Sequence, residues 1–131
     1  MSAPWPSIVA FFKAQRSMKG SDAFLSALMG VEQLAVFIAD GPLGSTLFGS
    51  TSMHGLCIQQ FEGSPYPGPY LRVSPLASGM VEFSYVDTGM RDQQWRREVP
   101  PDATVARLES FMDQLRWTPQ VTVLGGSSTG R

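Results

Sequence analysis

The sequence predicts an α+β domain: an antiparallel β-sheet of about four to six strands, with N-terminal and C-terminal helices packed on one face. Three observations carry this. Apolar residues recur at helical spacing near both ends, and the middle of the chain alternates apolar and polar residues with period two. Helical and strand patterns are also segregated along the chain rather than interleaved. Alternation of this kind belongs to a sheet with one covered face and one wet face, which is typical of antiparallel pairing.

Near the N-terminus, Ile8, Phe11, Phe12 and Gln15 fall at i, i+3, i+4 and i+7, so three large apolar groups share one helical stripe. A helix over residues 6–18 follows. Pro4 and Pro6 suit its start, where N–H groups lack intrahelical partners, and Gly20 stops it. Ser21 and Asp22 are caps for a short second helix over 23–29, which carries Phe24, Leu25 and Leu28 and ends at Gly30. Residues 34–38, β-branched and aromatic and followed by Asp40-Gly41-Pro42, read as a buried strand. Continuation of the second helix through Val31-Glu32-Gln33 is the alternative, and periodicity does not separate the two over so short a run.

From residue 46 the pattern becomes strands and turns. Residues 46–49 and 56–61 read as strands around the polar connection Ser50-Thr51-Ser52, and the EGSPYPGP stretch at 62–69 reads as a loop. Over 70–74, Leu71 and Val73 oppose Tyr70, Arg72 and Ser74; over 80–87, Val81, Phe83 and Tyr85 oppose Glu82, Ser84 and Val86. Residues 76–79 join them as a hairpin loop, Asp87-Thr88-Gly89 is the next turn, and residues 93–99 complete a meander. Pro100-Pro101 ends that strand. Asp102 is placed to cap a last helix, whose stripe is Val105, Leu108, Phe111, Met112 and Leu115, with Arg116 in the last turn and an end near Trp117. Residues 121–124 suit a short edge strand, and GGSSTGR at 125–131 is a flexible tail by composition, leaving one domain over 1–124. The first and last helices are expected to cover one sheet face. The other face carries Tyr70, Arg72, Glu82, Ser84 and Arg96.

A chain of 131 residues is one domain, and folding removes about two-thirds of its extended surface from water. With 43% hydrophobic and 11% aromatic residues it fills that interior without a disulfide or metal. Ten basic against eleven acidic residues give a net charge of −1, which excludes bulk attraction to nucleic acid or to an anionic membrane. One cysteine and seven methionines fit a reducing cytoplasm. No basic residue precedes the first apolar stretch, so a secretory signal is not expected. The most apolar run, residues 34–39, falls well short of the about 20 residues that span a bilayer.

The chemistry is thin. His54 is the only histidine, which excludes sites built on two imidazoles. His54 and Cys57 lie three apart; in a strand they diverge, and they meet only if His54 occupies the preceding turn. No G-x-S-x-G nucleophile motif is present, and the glycine-rich C-terminal segment lacks the lysine of a phosphate-binding loop. Glu82 and Asp87 are five apart, on opposite faces of a strand, so they do not form a carboxylate pair. No catalytic residue, metal or cofactor is expected. The arginine- and tryptophan-rich stretch at 90–97 belongs to a locally neutral region, with five arginines and five acids over 91–116, which argues against a nucleic-acid groove.

The same residues suit a protein interface, where Tyr, Trp, Met and Arg are enriched and Lys is depleted. The chain has eight arginines and two lysines, and Pro67 and Pro69 stiffen the loop around Tyr66. The expectation is a non-enzymatic protein-binding module of the small bacterial partner-neutralising kind, a toxin immunity protein or a secretion-chaperone-like adaptor. Its partner would be another protein, such as a toxin or a secreted effector. The candidate contact residues are Tyr66, Tyr70, Arg72, Glu82 and Arg96. The alternative is a small-ligand binder or enzyme with a pocket near His54 and Cys57.

Overall fold

The computed structural model describes residues 3–17, 20–60, 69–87 and 90–117. Three helices, α1 (Trp5–Arg16), α2 (Asp22–Asp40) and α3 (Thr104–Leu115), frame five strands: β1 (Phe48–Ser52), β2 (Gly55–Gln59), β3 (Tyr70–Pro75), β4 (Val81–Val86) and β5 (Trp95–Val99). The strands form one antiparallel meander in chain order. This is an α+β fold, and the strand count lies within the expected range.

Alternation sets the two faces of the sheet. Leu56, Ile58, Leu71, Val73, Val81, Phe83 and Val99 point inward and are fully buried. Between them stand the half-buried Cys57, Arg72, Ser74, Glu82 and Ser84 and the exposed Arg96, on the opposite side. The helices all lie on the inner side. α2 crosses β3 and β4, α1 packs on α2 and β1, and α3 packs on α2, with Phe111 reaching Phe83 and Trp95 at ring-centroid distances of 5.1 and 4.7 Å.

The central layer is therefore α2, not the terminal helices alone. The short second helix and the strand at 34–38 are one 19-residue helix. Ser21 caps it as expected, its hydroxyl accepting from the Phe24 N–H at 3.1 Å. Gly30 does not stop it. A Cβ at Gly30 would stand 2.8 Å from the Pro101 Cα and carbonyl oxygen, so the glycine lets the chain entering α3 approach the middle of α2. The buried Thr104 hydroxyl donates to the Gly30 carbonyl at 3.0 Å, closing the same contact. Once continuous, α2 is long and apolar enough, by length and composition, to cross a membrane. In the fold its Ala27, Leu28, Val31, Leu34, Ala35 and Ile38 belong to the domain core.

Other differences from the expectations have local causes. β1 contains Ser50, Thr51 and Ser52 rather than ending before them, and the reversal uses Met53 and His54. As an edge strand, β1 turns Gly49 and Thr51 to the helix side, opposite the buried Ile58 and Leu56, but Thr51 lies at the exposed end and only Gly49 is closely packed. There a Cβ would meet Trp5 at 2.6 Å, and the Trp5 indole N–H donates to the Leu47 carbonyl at 3.0 Å. Asp102 does not cap α3. It sits in a 3-10 turn (Pro101–Ala103), and Ala103 holds the cap position without a side-chain bond. Arg116 lies beyond the last turn, at φ 60°, and ends the helix in the left-handed conformation usually taken by glycine. The turn residues Thr88 and Gly89, most of the 62–69 loop, the piece at 121–124 and the tail at 125–131 lie outside the described residues.

Glu32 is the buried acid of α2. The Arg16 guanidinium at the end of α1 meets it, with Nε beside Oε1 at 2.5 Å and Nη2 3.5 Å from Oε2. The Nε contact is a charge contact rather than an aligned hydrogen bond. Its removal strands a carboxylate, whereas Arg16 is itself partly solvated, which moderates the cost.

Two stability measurements check these contacts by urea unfolding. Gly30→Ala is expected to destabilise by about 1–2 kcal/mol through overpacking against Pro101, although alanine is the better helix former by about 1 kcal/mol. A gain in stability would mean that the close approach is not a constraint. Arg16→Met is expected to cost about 1–2 kcal/mol. Adding Glu32→Gln should recover part of that loss, because the stranded charge is then gone.

Candidate functional site

The face of the sheet that no described helix covers is built from cross-strand rows. Register places Cys57, Arg72, Ser84 and Arg96 side by side across β2, β3, β4 and β5. Gln59, Tyr70 and Val86 form the row on one side of it, and Ser74, Glu82 and Glu98 the row on the other. Directly opposed side chains in such rows have Cβ atoms about 4.5–5.5 Å apart, so they act on one another. The twist of the sheet and a 3-10 turn (Arg91–Gln93) leading into β5 leave a shallow concavity of about 670 Å³ here. Its lining includes Tyr70, Arg72, Glu82, Ser84, Arg91 and Arg96.

Four of the five residues singled out from sequence, Tyr70, Arg72, Glu82 and Arg96, therefore share one surface. Tyr66 lies outside the described residues. Sequence reasoning did not place Arg91 or Cys57 on this surface. Arg91 comes from a 3-10 turn, to which strand alternation does not extend. For Cys57 the available signal is strand parity, opposite to the buried Leu56 and Ile58.

The charges are unevenly partnered. Glu82 accepts from the Ser84 hydroxyl at 3.4 Å and faces Arg96 at 3.9 Å, a long ion pair whose arginine is 75% exposed. Such a pair is worth little in water. Arg72 stands half-buried between Cys57 and Ser84 and forms no ion pair among the described residues. Burial pushes the Cys57 thiol above its ordinary pKa, while the Arg72 charge and a hydrogen bond with Ser50 offset part of that rise.

His54 does not join Cys57. It occupies the turn between β1 and β2, the one placement expected to let the two meet, but its ring turns toward the helices. Nδ1 lies 2.9 Å from the Gln15 Oε1 of α1, and the ring meets Phe24 of α2 edge-on at 5.4 Å. Cys57 lies on the other side of the sheet with Ser50 and Arg72. The nucleophile–base arrangement behind the alternative reading is thus not assembled. Among the described residues, no three His, Cys, Asp or Glu side chains come together as metal ligands.

Trp95, the aromatic member of the 90–97 stretch, turns to the helix side. Its ring stacks on Tyr85 at 5.8 Å and packs on Phe111, and the Arg97 guanidinium lies 5.3 Å from its centre. These contacts leave Trp95 half-buried, and the residue also contributes to the lining of the concavity.

Thiol alkylation tests this separation. A raised pKa leaves less thiolate at any given pH, so Cys57 should react more slowly than a free cysteine near neutral pH, with its rate profile displaced to alkaline pH. His54→Ala should leave that profile unchanged. A fast, His54-dependent reaction would reinstate the pairing. In comparisons with known proteins, no family model, no curated protein and no solved structure matches the chain.

Proposed function

We propose that this protein is a non-enzymatic binding module that recognises another protein through the uncovered face of its sheet. The observation that carries the reading is the one-sided padding of the sheet. All three helices cover the inner face, and the outer face keeps a concave surface with Tyr70, Arg72, Glu82 and Arg96 within it. Tyrosine and arginine are the side chains that most often anchor protein interfaces, because they bury large area and direct several hydrogen bonds at modest entropic cost. The separation of His54 from Cys57 removes the pairing that favoured catalysis.

A partner-neutralising role, binding a toxin or a secreted effector in the cytoplasm, is the specific form of this proposal. It is supported by the small single domain and by a lone, half-buried cysteine that suits a reducing compartment.

The test is capture of a partner from the source cell, followed by quantitative binding with Tyr70→Ala and Arg96→Ala. Each substitution is expected to weaken binding about tenfold or more while the circular dichroism spectrum stays unchanged. Unaltered affinity in both variants would remove this surface from the interface.

A further inference from the structure

We infer that the concavity on the open sheet face takes an acidic peptide segment of a protein partner, with Arg72 as its central carboxylate-binding residue. This rests on the reading above and adds the partner's chemistry to it. The whole chain carries a net charge of −1, yet among the described residues the concavity sets three guanidinium groups, Arg72, Arg91 and Arg96, against one carboxylate, Glu82. The described lining of the concavity therefore carries an excess of positive charge although the protein as a whole is slightly acidic, and Glu98 stands on the same face outside that lining.

The three arginines differ in what they still need. Arg96 spends its charge on Glu82 only through the 3.9 Å contact, and its exposure leaves it free to exchange that partner. Arg91 is exposed at the rim. Arg72 is half-buried in the middle of the sheet, flanked by Cys57 and Ser84, with no carboxylate paired to it among the described residues. It has given up part of its hydration without gaining an ion pair. A carboxylate arriving from solvent restores the interaction in the planar, two-bond geometry that guanidinium favours.

Nucleic acid would also bring anions, but the face suits it poorly. Glu82 and Glu98 stand directly opposite one another on the same face, in the row beside Arg72 and Arg96. A phosphodiester strand carries charge at every nucleotide and meets both carboxylates. A peptide places its acids at chosen positions and sets neutral or hydroxyl side chains against Glu82 and Glu98.

Fluorescence anisotropy with three labelled probes tests the inference on the full chain: a peptide of alternating Glu and Ser, its twin with Gln for Glu, and an oligothymidylate of equal charge. The Glu peptide should bind, its twin should not, and affinity should fall as salt rises from about 0.02 to 0.3 M and screens the charges. Arg72→Gln should lower affinity for the Glu peptide about tenfold, and Arg72→Lys, which keeps charge but loses the fork, by a smaller factor. Lys13→Gln, on α1, should change nothing. Equal binding of the two peptides, no effect of Arg72→Gln, or tighter binding of the oligothymidylate would overturn the inference. Failure of the broader reading is separable. If Tyr70→Ala abolishes partner capture while Arg72→Gln and salt leave it intact, the surface stands and the acidic chemistry falls. If the captured partner ignores both Tyr70→Ala and Arg96→Ala, the surface itself is wrong, whatever the probes do.

Discussion

Ala27, Leu28, Val31, Leu34, Ala35 and Ile38 of α2 are withdrawn from water in a core shared with the inner sheet face, and the rest of the architecture accommodates that layer. Each leucine or isoleucine buried in this way stabilises the fold by about 1.5–3 kcal/mol, far more than any surface ion pair here. α1 and α3 then flank α2. The first is tied by Arg16 to Glu32 and by Trp5 to the Leu47 carbonyl, the second by Thr104 to the Gly30 carbonyl. Because all three helices gather on one side, the opposite side keeps its polar rows. Core formation and surface availability are two consequences of the same packing.

The open face is not uniform. Its middle row is arginine-rich, with Arg72 and Arg96 separated by Ser84, while the row beside it places Glu82 opposite Glu98. Opposed like charges across strands are unfavourable by a few tenths of a kcal/mol or more. The arrangement therefore adds nothing to the fold and leaves a patterned surface. Cys57 illustrates how fold and surface interact. Burial discourages its ionisation, the neighbouring Arg72 charge opposes that effect, and the only imidazole of the chain is engaged on the far side of the sheet.

How far the architecture could be read from residues depends on whether the deciding neighbours are near in sequence. The period-two alternation of Leu71 and Val73, and of Val81 and Phe83, is a local property and assigned both strands and their faces. The apolar stripe of Leu108, Phe111 and Met112 did the same for α3. Four of the five candidate contact residues could be placed on one surface because face assignment in a strand needs only parity. Arg91 escaped because its turn has no such parity. Gly30 looked like a helix end, since glycine is a common stop signal and a poor helix former.

The chain's own residue pattern determined the α+β class, the antiparallel middle, the inward residues of β3 and β4, and the absence of any second imidazole, because each of these follows from identity and short-range spacing. Tertiary structure decided that α2 runs unbroken through Gly30, that β1 takes up three polar residues at an edge, and that His54 and Cys57 part company. In each case the deciding group is remote in sequence: Pro101 beside Gly30, Trp5 over Gly49, Gln15 and Phe24 against His54. Contacts between distant segments outweigh local preferences because burial and steric exclusion act on whatever the fold brings close, irrespective of separation along the chain.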